Sequence, residues 1–357
     1  MKTLLSYLIF LITAPLLLTA QIPSNYYSGT EGLTGFALKT KLHQIISNGH
    51  TDQGYGSLYD GYVNTDSDYY YENDGSVLDM YSERPNQSDP YNYSHGVETC
   101  GNYNDEGDCY NREHIIPQSV FDEAYPMKSD IHFVVPSDGY VNNRRSSYPF
   151  GEVNNPSWVS ENGSKLGSNV SGGYTGTVFE PIDAFKGDIA RMIFYVATRY
   201  EDQIGEWNNF DMFDGSQHKV FTDWALELLM QWHQNDPVSQ REIDRNEAAY
   251  NYQGNANPFI DHPEWVEMIW DPDFAVADYG AESVSMYPNP ARDVVHVENG
   301  TSIDRIAVFN LLGEKMYEAQ PGKEHVVLTV KNWIPGTYFV RIDDRSGSNT
   351  LKLIVKK

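Results

Sequence analysis

Between Gly107 and Glu152 the sequence gathers Glu113, His114, His132, Asn142, Asn143, Arg112, Arg144 and Arg145 into one short span. No other stretch is as dense in reactive side chains. Glu113-His114-Ile115-Ile116 stops at Pro117, and Asp130-Ile131-His132-Phe133-Val134-Val135 stops at Pro136. Both read as short β-branched strands closed by a residue that cannot continue a ladder. Ser137 or Asp138 then caps a helix beginning at Gly139, on which Asn142, Arg145 and Ser146 share a face by three-and-four spacing. A helix packed back across this hairpin brings Asn142 towards His114. The Asn142 carbonyl and the Glu113 carboxylate are hard oxygen ligands of the kind Mg²⁺ takes, one or two at a time, while keeping several waters. A cation held there polarises a phosphate oxygen and the leaving oxygen. Neutral His114, with a reference pKa of about 6.5, is placed to take the proton of an attacking water. Arg145 or Arg112 is placed to hold the phosphate. The chemistry indicated is metal-assisted hydrolysis of a phosphodiester.

Strand geometry imposes a restriction on this set. Neighbours on a regular strand point to opposite faces, so Glu113 and His114 share one site only if the strand ends or twists there. His114 and Asn142 therefore rank above Glu113. Plainer roles also stand open: His132 as a hydrogen-bonded structural residue, Asn143 as a surface amide, Asp138 as a simple cap, and Arg144-Arg145 as a solvated face.

The runs NREHIIPQS, SDIHFVVPSDGYVNNRRSSYPFGEV, FEPIDAFKGDIARMIFYVATRY and NPFIDHPEWVEMIW together resemble the bacterial endonuclease I family of secreted nucleases, from about residue 30 to residue 271. The resemblance implies an α+β fold with a ββα-metal, or His-Me finger, core inside a mainly helical domain. It also implies His114 as general base, Glu113 and Asn142 as ligands of a single Mg²⁺ (with Mn²⁺ or Ca²⁺ as substitutes in binding), and products bearing 5′-phosphates. Some members carry a long insertion between the His and the Asn that supplies a catalytic Arg. This chain lacks that insertion, which leaves Arg112, Arg144 and Arg145 as candidates.

The chain has 357 residues, 40% of them hydrophobic, and a formal net charge of -25. Acidity of that size sits badly with phosphate binding, which is usually carried by Lys and Arg. A nucleic-acid groove must then be a local basic island, for which Arg112, Lys128, Arg144, Arg145, Lys186 and Arg191 are the candidates, with His132 at its margin. Residues 1–20 read as a secretory signal peptide, and no second apolar run is long enough for a membrane span. The export this implies makes a disulfide between Cys100 and Cys109, the two cysteines of the chain, the natural reading.

Leu38, Leu42, Ile45 and Ile46 give a core-facing helix that stops at Gly49. Residues 51–85 mix Tyr with Asp, Asn and Gly and read as strands and turns; the EF-hand spacing is not met. Residues 153–177, rich in Asn, Ser and Gly, read as a long surface loop. Helices are expected around Ile189, Ile193, Val196 and Tyr200, around Trp224, Leu228 and Trp232, and from Pro237 onwards. A linker spans 272–282. From residue 283 to 357 short alternating strands predict a small β-sandwich. There YPNPARD, VFNLLGEKM, IPGTYFVRI and a Lys-terminated last strand resemble the type IX secretion sorting domain. The expectation is thus a monomeric exported enzyme that meets the type IX machinery and cuts DNA, and RNA as well, with little sequence preference. A secreted nucleic-acid-binding protein without catalysis, or a hydrolase of other phosphodiesters, are the alternatives.

Overall fold

The computed structural model describes residues 21–271, 285–310, 314–344 and 347–356. The expected signal peptide and the expected linker lie outside the described residues.

Two strands and a helix form the unit that matters for chemistry. Strand β1 (Tyr110–His114) pairs antiparallel with β2 (Val134–Asp138), and helix α3 (Gly139–Arg145) follows β2 directly. Pro136 does not end the second strand as expected; it lies inside β2, opposite Arg112. Gly139 N–H donates to the Cys109 carbonyl and Ile115 N–H to the Phe133 carbonyl. Residues 109, 111, 113 and 115 are therefore the hydrogen-bonded positions. Position 112 falls between them, where the partner's N–H faces outward and a proline costs no ladder bond. Asp138 is the cap, accepting the Val141 N–H at 2.7 Å, and it also accepts the Tyr93 hydroxyl at 2.6 Å. The Cys100–Cys109 disulfide closes the segment that leads into β1.

A helical shell surrounds this unit. Helix α1 (Gly35–Ser47) buries Leu38, Leu42 and Ile46 as its spacing predicts. Helix α2 (Leu58–Thr65) was not expected, because Gly61 reads as a turn signal. The glycine instead admits a close approach: a Cβ there would stand 2.6 Å from Ile131 Cδ1 and 3.0 Å from Tyr252. Residues 153–177 are no loop. They form β3 (Val153–Val159) and β4 (Lys165–Asn169), joined by β5 (Thr177–Glu180) in an antiparallel meander. β3 is mostly solvated and its register with β4 slips at Pro156, so no apolar alternation marked it.

Helix α4 (Lys186–Arg199) is buried along its entire length, with α5 (Asp223–Asn235) packed beside it. Helix α6 (Gln240–Gln253) begins after a Ser239/Glu242 capping box rather than at Pro237. Two short helices, α7 (Pro258–Asp261) and α8 (Glu264–Trp270), complete the shell. Buried ion pairs hold it together: Arg191 with Glu242 at 2.6 Å, Arg245 with Asp66 at 2.8 Å, and Arg241 with Asp188.

The C-terminal region is all β. Strands β6 (Ser285–Tyr287), β7 (Val294–Ile303) and β10 (Lys323–Thr329) make one sheet in the order β10-β7-β6. Strands β8 (Arg305–Asn310), β9 (Lys315–Ala319), β11 (Gly336–Asp344) and β12 (Gly347–Val355) make the other, in the order β12-β11-β8-β9. Val295, Val297, Val326 and Leu328 of the first share a core with Ile306, Val308, Val340, Ile342 and Leu353 of the second. This is the expected small sandwich. Among the described residues no helix is long and apolar enough to cross a membrane.

Candidate active site

A cleft of about 490 Å³ opens along β1, lined by Asn111, Arg112, Glu113 and His114, with Asn142, Arg145 and Ser146 from α3 and its end. Four successive strand residues line one cavity only if it lies across the open edge and end of the strand, where both faces meet. Past Tyr110, which bridges to Thr99, β1 has such an edge, since β2 is its one partner in the sheet, and it ends at His114. This resolves the restriction on Glu113. Asn111 and Glu113 reach the cleft from the α3 side, Arg112 and His114 from the side of Tyr55.

His114 is 5% exposed. Its Nε2 lies 3.1 Å from the Lys128 carbonyl oxygen. A carbonyl can only accept, so Nε2 carries the proton and Nδ1 of the neutral ring carries the lone pair. Burial drives the imidazole pKa down to about 4, against the Lys128 carbonyl, which raises it; the charges of Lys128, Arg112 and Arg145 lower it further. The ring lies between Tyr55, 5.8 Å away, and Phe121, 6.1 Å away.

Glu113 is buried, and Oε1 takes both of its strong contacts: the Tyr81 hydroxyl at 3.0 Å and Arg145 Nη1 at 3.2 Å. Burial raises its pKa, opposed by Arg145 and Tyr81. Oε2 lies outside both contacts. Asn142 donates Nδ2–H to Asn111 Oδ1 at 2.7 Å and to the Arg112 carbonyl at 3.3 Å. The backbone acceptor fixes which way round the amide lies, so Oδ1 is the atom left to act as a ligand. Two hard oxygens and an imidazole lone pair thus border one cleft, as a small hard divalent cation and a water-activating base require.

The arginines divide differently from expectation. Arg145 is 1% exposed; Nη1 donates to the His114 carbonyl at 2.8 Å and Nη2 to the Ile115 carbonyl at 2.5 Å, with the guanidinium over Phe150. It is a positioning residue beneath Glu113, with its terminal nitrogens taken by protein acceptors. Arg112 forms the cleft wall, stacked 3.6 Å from the Tyr55 ring centroid and 4.5 Å from that of Tyr59, with a buried Nε that has no acceptor. Arg144 is exposed beside Tyr140 and Trp158 and does not line the cleft. Lys128 pairs with Glu123 and lies over Tyr55.

Besides Arg145, three members of the expected basic island fall away. His132 is buried at the back of the core, bonded through Nε2 to the Asn255 carbonyl at 2.9 Å, and cannot touch nucleic acid. Arg191 is fully buried against Glu242, and Lys186 is held by Glu152, Glu180 and Asp183. Sequence reasoning missed Asn111, Tyr55 and Tyr81. Asn111 was within reach, since it stands two residues before Glu113 on the same strand face. The two tyrosines come from a distant segment whose contact with β1 no local pattern announces.

Comparison with known proteins bears on the chain as a whole. Residues 34–264 match the Endonuclease I family, and residues 285–356 match the secretion system C-terminal sorting domain. The chain is 37% identical over 251 residues to a protein named extracellular ribonuclease from Bacillus subtilis (strain 168), covering 69% of this chain and 78% of that one. A namesake from Bacillus amyloliquefaciens is 35% identical over the same shares. Endonuclease-1 of Buchnera aphidicola subsp. Acyrthosiphon pisum (strain APS) is 28% identical over 134 residues, 38% of this chain and 45% of its own length. The chain therefore belongs to the Endonuclease I family, as a secreted nuclease that carries a C-terminal sorting domain.

Proposed function

We propose that the chain hydrolyses phosphodiester bonds of DNA and RNA with little sequence preference, using a His-Me finger core with one Mg²⁺ and leaving 5′-phosphates. The observation that carries this reading is the His114 tautomer, whose Nδ1 lone pair shares a cleft with the Asn142 and Glu113 oxygens. Glu113 and Asn142 would hold the cation, and its role when bound is to polarise the scissile phosphate and stabilise the leaving oxygen. His114 Nδ1 removes a proton from the attacking water. The Lys128 carbonyl supports the imidazolium that forms, because its bond to Nε2–H strengthens as the ring gains charge. Arg145 keeps Glu113 and the His114 backbone in register, and Arg112 meets the phosphate from the cleft wall. Arg112, Lys128 and Arg144, each beside aromatic rings, form the remaining basic strip on an acidic protein. Backbone charge and ring stacking without base-edge readout give low specificity. We assign the nuclease domain to residues 21–271, a linker to 272–282 and the sorting domain to 283–357, behind a signal peptide at 1–20.

The test is nicking of a supercoiled plasmid, and cleavage of a structured RNA, by the purified protein with Mg²⁺ or with EDTA. His114→Ala should lose about 10²–10⁴ in rate, the usual worth of a positioned base. Cleavage that persists undiminished in EDTA, or in His114→Ala, overturns the assignment.

A further inference from the structure

A second group of carboxylates stands apart from the His114 cleft. Asp68, Glu72 and Glu83 each bring a carboxylate oxygen within 4.8 Å of the others, and none of them lines that cleft. Asp68 and Glu83 are buried, at 2% and 1% exposure, while Glu72 reaches the surface. The backbone builds the group. Asp68 Oδ1 accepts the N–H of Tyr70 and Tyr71, and Oδ2 those of Glu72 and Asn73, so the chain curls round this carboxylate and returns Glu72 beside it. Glu83 comes from the next turn, where Ser82 and Glu83 both donate N–H to the Asp79 carbonyl.

Glu83 is the telling member. Its Oε1 is buried and has no hydrogen-bond partner. Orphaned buried oxygens are rare, and one set among other carboxylates is unfavourable unless a cation or a proton joins it. Burial, together with Asp89, Glu72 and Asp68, pushes the Glu83 carboxyl up to about 9, and burial raises Asp89 to about 6. Arg84 opposes the rise at Asp89.

We propose that Asp68, Glu72 and Glu83 form a second metal site, which takes a Ca²⁺-class cation from the extracellular medium. The donor set is all oxygen, without the imidazole or thiolate that Zn²⁺ or Cu²⁺ would favour. A carboxylate set completed by water suits the flexible shell of 6–8 oxygens that Ca²⁺ takes at about 2.3–2.6 Å better than the near-ideal octahedron that Mg²⁺ demands. Asp68 already spends its lone-pair directions on four N–H donors, so it contributes charge and a fixed wall. The bonds fall to Glu83 Oε1 and Glu72, with water completing the shell. The site also bears on the cleft: Tyr81, whose hydroxyl holds Glu113, lies two residues before Glu83. A cation here would brace the segment that steadies Glu113.

The test is Ca²⁺ binding to the full chain by calorimetry, in an Asn142→Ala background that removes a candidate ligand of the His114 cleft without breaking a buried ion pair, with thermal unfolding read in parallel. The protein should bind one Ca²⁺ in the range of about 10⁻⁴–10⁻³ M or tighter typical of extracellular modules, and its Tm should rise with Ca²⁺. Glu83→Gln should weaken that binding at least tenfold and abolish the Tm rise. Glu72→Gln, at an exposed position that leaves folding undisturbed, should weaken it severalfold and decides the matter if Glu83→Gln does not fold. Absence of Ca²⁺ binding, or binding unchanged in both variants, overturns the proposal.

Discussion

Replacing Arg145 by Met removes the guanidinium that lies 3.2 Å from Glu113 while both side chains are buried, at 1% and 2% exposure. Met retains an apolar body against Phe150, so the loss falls on charge and hydrogen bonds rather than on packing. Breaking a buried pair by removing one partner costs about 3–5 kcal/mol, because the other charge is left uncompensated. Glu113 can escape by taking up a proton, and that escape caps the cost. At pH 7 protonating a carboxyl of reference pKa about 4.3 costs about 4 kcal/mol, and at pH 6 about 2 kcal/mol. The expected destabilisation is therefore about 3–4 kcal/mol at pH 7, shrinking by roughly a third at pH 6. Glu113→Gln should relieve it, leaving Glu113→Gln/Arg145→Met less destabilised than the sum of the single variants by about 0.5–3 kcal/mol. Urea unfolding followed by tryptophan emission measures this directly, since six of the seven tryptophans precede residue 271. A cost below about 1 kcal/mol, a cost independent of pH, or strict additivity would refute the view that Arg145 exists to hold a charged Glu113.

The other expectations concern two of the buried histidines, His114 and His132. With its pKa held down to about 4, His114 should stay a competent base well below neutral pH, so kcat/KM should break on its acid limb below pH 5. A break at about 6.5, the reference value, would contradict the burial argument. His132 is likewise lowered to about 4, chiefly by burial, and against an unfolded value of about 6.5 the unfolded chain binds the extra proton between these limits. Stability should therefore fall as pH drops from 6.5 to 4, and His132→Gln should flatten that slope by up to one proton in urea titrations. An unchanged slope would show that His132 does not titrate this way.

What the sequence disclosed was what local spacing can encode. The order of β1, β2 and α3, the Asp138 cap and the meeting of His114 with Asn142 follow from strand runs, a cap residue and helical periodicity in one short span. The stripe of α4 and the alternation of the C-terminal strands were equally plain. Other features depend on partners far away in the chain. Pro136 is tolerated because of the phase of its pairing with Arg112, and a glycine sits at helical position 61 because Ile131 and Tyr252 leave no room for a side chain. The β3–β5 meander is too solvated to show an apolar period. His132 carries the same side chain as His114 on a neighbouring segment, yet burial against Asn255 makes it scaffold. Residue type could not separate the two; their surroundings do.

The acceptor that sets the His114 tautomer is a main-chain carbonyl, and that has an evolutionary consequence. No substitution of the Lys128 side chain can delete it, so drift at position 128 leaves the proton on Nε2. What can detune the proposed base is the path of the Met127–Ser129 turn, which is secured by the Lys128 N–H on the Ala124 carbonyl at 3.0 Å and by the Ser129 hydroxyl on Asp52. Control over basicity therefore rests with residues that never face the cleft. A designer wishing to shift the working pH of this enzyme would gain more by reshaping that turn than by recharging the wall.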